Sequence, residues 1–377
     1  MFSLILTLAL IGGQLIKLPV LNLGVTILDI TIFIVCLAGL LEIRFKLTPP
    51  PLFIKAALIF ILITITSLVI SPLNLDLTQK LASLAYIVRF SSFILLGWLI
   101  SSRALADLKK DLPLILISSG VTFAILGLLQ LIFLPDLRFL TKDGWDPHYL
   151  RTVSTLLDPN FLGAYLCLTL LLLIDNPQKK WMLTVVYLAL LTTFSRGSYL
   201  MFGVSFLTLA LINKSVKLGV ITILLSLGLT LGFNIYQQQV AAPRNIDRTQ
   251  SAEYRLDSWQ MGLKLFLDHP ILGVGFNSYK YALKQYDLAS EQFLASRGAS
   301  SNDSSLLFVL ATTGTVGFAS YLFFLLSIIW TGVKTKNNIL VAGLTGLIVQ
   351  SFFANTLFYP FLLIWIILLI PLNPTRE

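Results

Sequence analysis

Residues 113–134, PLILISSGVTFAILGLLQLIFL, run for 22 positions without a charge. A helix of that length rises roughly 33 Å, enough to cross the hydrocarbon core of a bilayer. It is one of twelve such segments. The others fall at 2–17, 24–41, 53–71, 82–101, 160–174, 181–195, 197–212, 217–233, 305–330, 338–355 and 357–372. Hydrophobic residues make up 56% of the chain and charged residues 12%, far from the near-half apolar and quarter charged balance of a soluble domain. A water-soluble core is excluded. The expected fold is an all-α integral membrane protein, a single polytopic domain over 1–377. It has about twelve transmembrane helices and a large extracytoplasmic loop between spans nine and ten.

Orientation follows from the basic residues, which are retained on the cytoplasmic side of short loops. With both termini inside, the inner loops hold thirteen Lys and Arg against five acids, whereas the outer side holds thirteen of each. The net charge of +9 is then mostly a topology signal, and no nucleic-acid partner is needed to account for it. The expected location is the cytoplasmic membrane, with membrane lipids around the helices and the chemistry outside. The first span lacks a charged leader and a small-residue cleavage pattern, so it reads as a retained helix that directs insertion. Cys36 and Cys167 fall within spans as small hydrophobes. No metal-ligand spacing and no cofactor motif is present, and no internal repeat suggests an inverted-repeat transporter.

Two outer loops carry the polar chemistry. Loop 135–159 holds Trp145, Asp146, His148, Tyr149, Arg151 and Asp158, and Asn160 follows it. It is too polar for lipid. Its aromatic rings suit either interfacial anchoring or a sugar-facing surface. Loop 234–302 contains an amphipathic helix over about 251–268, with Ser251 as its expected N-cap and Tyr254, Trp259, Leu263, Phe266 and Leu267 at near-helical spacing. This helix lies on the membrane or packs against the tops of the spans. His269-Pro270 ends it, and Gly273-Val274-Gly275 reads as a turn, since a lone GxG is weak as a phosphate signal.

Some residues are expensive where they stand. Arg89 sits inside a span, where arginine costs at least about 2.5–3.5 kcal/mol, so it faces a cavity or an anionic partner. Arg196 stands between two adjoining spans. Arg255 lies on the amphipathic helix, either as a solvated charge or as a ligand-binding one. Asp303 follows Asn302 at the mouth of the tenth span, where it is either an N-cap or a reactive carboxylate.

Taken in order, Ser195-Arg196-Gly197, Arg255 with Trp259, His269-Pro270-Ile271-Leu272-Gly273-Val274-Gly275, and Asp303-Ser304-Ser305 running to Gly314 resemble the O-antigen ligase and polymerase family. The resemblance covers mainly residues 150–330; the first five spans match in hydropathy only. It implies a polytopic glycosyltransferase of cell-surface polysaccharide assembly. Such an enzyme moves a glycan from a polyprenyl-diphosphate carrier such as undecaprenyl diphosphate to a hydroxyl on a glycan or lipid acceptor, with no cofactor. In that frame Arg196 and Arg255 bind the donor diphosphate, with Arg89 and Arg151 adding positive field. Asp158, Asn160, Trp145, His148 and Asn302 line the substrate, and Asp303 stands where family ligases carry a histidine base. A transporter of a small anion or lipid-linked glycan and a non-catalytic scaffold of a glycan-assembly complex are the alternatives.

Overall fold

The computed structural model describes residues 2–18, 24–102, 104–174, 180–244 and 250–372. Arg103, Lys179 and Arg376, three of the basic residues expected on the inner side, lie outside the described residues. The elements run α1 (Phe2–Gly12), β1 (Lys17–Leu18), β2 (Val25–Thr26), α2 (Ile27–Glu42), α3 (Leu52–Val69), α4 (Leu77–Ser101), α5 (Ala106–Phe133), α6 (Pro159–Leu173), α7 (Lys180–Thr192), α8 (Arg196–Ile212) and α9 (Val216–Tyr236). They continue as α10 (Gln250–Asp268), α11 (Tyr279–Gln285), α12 (Glu291–Ala295), α13 (Ser305–Lys334), α14 (Asn338–Gln350) and α15 (Pro360–Leu369).

Each of the twelve apolar segments is occupied by a helix, α1 to α9 and α13 to α15, and the polar insertion holds α10 to α12. By length and composition five are suited to crossing a membrane: α3, α4, α5 and the helical runs built on α9 and α13. Six others are shorter apolar helices. On α9, Val220, Ile223, Leu224, Leu227 and Leu231 are all exposed, which suits a helix facing lipid. The opposite case is α15, whose ten residues are all buried, with α4, α5, α6 and α14 packed against it.

Hydropathy misplaces several ends, because caps are made by polar atoms. Helix α1 stops at Gly12 rather than 17, and an antiparallel pair, Lys17 with Thr26 and Leu18 with Val25, is a small β departure from the all-α expectation. Helix α4 starts at Leu77 rather than 82, since Asp76 and Gln79 form a reciprocal capping box. Ser251 is not the cap of α10, which begins at Gln250. That helix packs along α13, the second of the two positions expected for it.

Helix α13 is broken at Gly314, where φ is 62°. Freed backbone groups in an apolar setting must find partners, and the segment after α10 supplies them. Val274 and Gly275 donate their N–H groups to the carbonyls of Ala311 and Thr312, both at 3.0 Å, and Thr315 donates to the Pro270 carbonyl at 2.8 Å. Ser67 Oγ on α3 donates to the carbonyls of Leu272 and Thr312, each at 2.7 Å. A Cβ at Gly314 would meet the Ile271 carbonyl oxygen at 2.2 Å. The Gly273-Val274-Gly275 turn is therefore structural, as expected. It fastens the polar insertion to the bundle.

Candidate active site

The ends of α6, α8 and α14 are pinned together by side chains expected to line substrate. Asp158 caps α6, its Oδ1 accepting from the N–H groups of Asn160 at 2.6 Å and Phe161 at 3.0 Å. Asn160 Oδ1 accepts from Ser195 Oγ at 2.7 Å, and Ser195 caps α8. The Asn160 carbonyl accepts from Ser198 Oγ at 3.1 Å and Gln350 Nε2 at 3.0 Å. Asn160 is thus a structural tie between three helices. Its product is the placement of Arg196 as the first residue of α8, exposed, with its guanidinium 5.5 Å from the Phe233 ring centroid.

A second set of bonds brings α10 to the mouth of α13. Buried Asn302 donates Nδ2 to Tyr279 Oη at 3.0 Å and to the Ser258 carbonyl, while its Oδ1 accepts from the Ser304 N–H at 2.9 Å. The Asp303 N–H donates to Ser258 Oγ at 3.0 Å. Arg255 is one turn from Ser258 and Trp259 and shares their side of α10. The cap of α13 is Ser304, whose Oγ accepts from the Leu307 N–H at 3.4 Å. This corrects the N-cap alternative for Asp303. Its carboxylate makes no hydrogen bond or ion pair to any described residue, and it is partly buried.

The charges at this end of the bundle act on one another. Desolvation pushes the Asp303 carboxyl up to about 6; the Arg255 field opposes the rise, and the fields of Asp146 and Asp158 add to it. Asp158 is also raised, first by desolvation and then by Asp146. Asp146 is raised by desolvation against the fields of Arg151 and Arg255. Arg196 and Arg255 are close enough to repel, and among the described residues neither is in an ion pair. Two guanidiniums that feel each other's charge without an ion-pair partner among the described residues favour an anion that both can grip.

The other candidates divide. Arg151 is buried and spans the turn between α7 and α8, donating Nε to the Thr193 carbonyl at 2.8 Å and Nη2 to that of Phe194 at 3.4 Å. It braces the turn that presents Arg196. Arg89 meets its anionic partner within the bundle: Nε and Nη2 donate to the two carboxylate oxygens of Asp29 at 2.6 and 2.8 Å. Asp29 also closes the capping box of α2. This pairing gives Arg89 the anionic partner that its place in a span called for, and it stands apart from Arg196 and Arg255. Trp145 lies under Lys17 and Arg297, and His148 is buried, with its carbonyl accepting from the Leu137 N–H at 2.9 Å. Asp146 joins the charge cluster although its type and spacing gave no sign of it beyond an acid beside Trp145.

Residues 181–322 match the family model described as O-Antigen ligase. The matched stretch runs from α7 into α13 and contains Arg196, Arg255, Trp259, the 269–275 segment, Asp303 and Gly314. It lies within the 150–330 region in which the resemblance was read. No curated protein matches the chain. The 181–322 segment is similar to the O-antigen ligase family. Its long apolar helices make the chain a multi-pass membrane protein.

Proposed function

We propose that the protein transfers a glycan from a polyprenyl-diphosphate carrier to an acceptor hydroxyl at the extracytoplasmic face of the cytoplasmic membrane. The observation that carries this reading is the convergence of Arg196 and Arg255, both without an ion-pair partner among the described residues, with an Asp303 carboxylate relieved of capping by Ser304. The acceptor oxygen attacks the anomeric carbon and gives its proton to Asp303. The bond from that carbon to the diphosphate oxygen breaks, and the electron pair leaves with the diphosphate. Arg196 and Arg255 receive the growing negative charge with forked hydrogen bonds. A carboxyl held at about 6 is ionised at neutral pH and is a stronger base than an ordinary aspartate.

The transporter alternative drew on twelve spans and a buried arginine. Pairing of Arg89 with Asp29 gives that arginine a structural partner and so weakens the alternative. The test is transfer by detergent-purified protein from a polyprenyl-diphosphate-linked oligosaccharide to a lipid-linked or free glycan, followed by mass spectrometry of the product. Release of the polyprenyl diphosphate together with a lengthened acceptor is expected. Absence of transfer across a panel of donors and acceptors, with donor binding intact, would sink the reading.

A further inference from the structure

Trp145 has two cations on one ring. Lys17 Nζ lies 4.8 Å and the Arg297 guanidinium 4.3 Å from its centroid. They come from distant parts of the chain, the β1 strand and the stretch after α12. The approach is built rather than incidental. Gly144 takes a left-handed conformation at φ 79°, and a Cβ there would lie 3.4 Å from Arg297 Cγ. Arg297 donates its backbone N–H to the Gly144 carbonyl at 3.3 Å and its Nε to the Asp143 carbonyl at 3.0 Å. Both terminal guanidinium nitrogens are left over, and Lys17 Nζ makes no hydrogen bond within the described residues.

The other ring-stacked cations divide: Arg244 over Tyr149 and Lys334 over Trp330 each stand alone on a ring without an ion pair among the described residues, so what sets Trp145 apart is two cations on one ring. Arg89 over Tyr86 is neutralised by Asp29, and Arg138 over Tyr149 by Asp136. Lys17 and Arg297 have no carboxylate within ion-pair distance among the described residues. Arg196 over Phe233 has the same character. Crowding at Trp145 is also felt electrostatically: burial first, then the charges of Arg297 and Arg89, bring the Lys17 ammonium down to about 8. An anion would relieve that repulsion. Asp146, next in sequence to Trp145, belongs to the charge cluster around Asp303, so this cationic pair is tied to that cluster through the chain while using residues other than Arg196 and Arg255.

We propose that Lys17 and Arg297, mounted on Trp145, form a second anion subsite that takes a phosphate group carried by the acceptor. The acceptor assignment rests on the glycan-transfer reading; the existence of the anion subsite does not. Donor diphosphate and acceptor phosphate are then held at separate points, with the acceptor hydroxyl directed toward Asp303.

The experiment counts bound pyrophosphate on the purified full-length protein by equilibrium dialysis at low salt. Two per chain are expected for the parent. One is expected for K17M, which breaks no hydrogen bond in the described residues, and one for an R297M variant. The R196M/R255M double variant should lose the other, and combining all four changes should leave none. Repeating the measurement in nanodiscs separates the possible sources of phosphate. If the second pyrophosphate persists in both phosphatidylglycerol and phosphatidylcholine discs, the acceptor assignment stands; if phosphatidylglycerol alone displaces it, the acceptor assignment is overturned in favour of lipid headgroups. A single pyrophosphate, retained by K17M and lost in R196M/R255M, overturns the subsite. A protein that binds two pyrophosphates yet transfers no glycan would refute the enzymatic reading and leave the subsite standing.

Discussion

Replacing Asp303 with asparagine should stabilise the protein slightly and nearly abolish its activity. The hydrogen bonds near this residue use its backbone N–H to Ser258 Oγ, and the helix cap is Ser304, so the substitution removes charge and little else. The folded carboxyl is raised from 3.8 to about 6. Between those values the folded state binds a proton that the unfolded chain has lost. Stability therefore falls as pH rises through this window and is flat above it. At about 1.4 kcal/mol per pKa unit, ionisation costs roughly 3 kcal/mol at most. Water reaching the partly exposed side chain reduces this to on the order of 1–2 kcal/mol. D303N is spared that cost at pH 7.5, so its thermal midpoint should equal or exceed the parent's. Loss of a general base should lower transfer on the order of 100-fold or more. The assay is glycan transfer from a polyprenyl-diphosphate donor, with thermal unfolding in the same detergent. An asparagine variant that transfers at the parental rate would refute the base assignment and move the search to Asp146 or Asp158. D303H, restoring a base, should recover part of the lost rate.

R196K and R255K keep the charge and lose the forked geometry; each should weaken donor binding and transfer about tenfold or more, with alanine worse, measured as donor KM and rate. Alanine variants with parental kinetics would remove the diphosphate role. For R89A and D29A the expected loss is stability, about 3 kcal/mol each, because one buried charge is stranded; thermal unfolding measures it. Activity per folded molecule should be near parental, and a selective rise in donor KM would return Arg89 to the active site. G314A should unfold the junction of α13 with the 269–275 segment and cost more than about 1 kcal/mol, since both the positive φ and the close Ile271 carbonyl forbid a side chain; thermal unfolding and yield of monodisperse protein check it. For topology, in a background lacking Cys36 and Cys167, a cysteine at Glu291 should react with an impermeant thiol reagent on intact cells. Cysteines at Lys214 and Lys334 should not, and the reverse pattern would invert the orientation.

The places of the helices were legible because apolar length is a local property. Every one of the twelve segments carries a helix, and the errors are at ends such as Gly12 and Leu77, where caps or a hairpin take over. Arg196, Arg255 and Asp303 were readable as short motifs, since each is tied to its neighbours by sequence-local features: the Ser195 cap, the α10 face and the Asn302 turn. What remained hidden involves partners far apart in the chain. Asp29 lies 60 residues from Arg89, and nothing in the pattern around either names the other. Asp146 acts only through fields that depend on how two loops fold together. Whether Asp303 caps the tenth span turned on whether the helix starts one residue later. Spacing alone does not resolve so small a difference.

On the proposed reading, the charge arrangement also links donor binding to the basicity of Asp303. Arg255 is the charge that most opposes the raised state of Asp303, while Asp146 and Asp158 favour it. When a diphosphate binds Arg255, its negative charge cancels much of the cation's field at Asp303. The carboxylate then holds a proton more tightly, so donor binding makes Asp303 a better base at the moment an acceptor hydroxyl must lose its proton. The consequence is measurable. The acidic limb of kcat/KM for donor, which reports the free enzyme, should lie near 6, and the acidic limb of kcat, which reports the bound enzyme, should lie higher. Activity rises with pH on both limbs, because the ionised form reacts. In R255M the free-enzyme limb should itself move up toward the bound value and the gap between the two should close. Identical limbs in the parent, or a free-enzyme limb near 4, would mean that Asp303 does not accept the proton or does not feel the diphosphate.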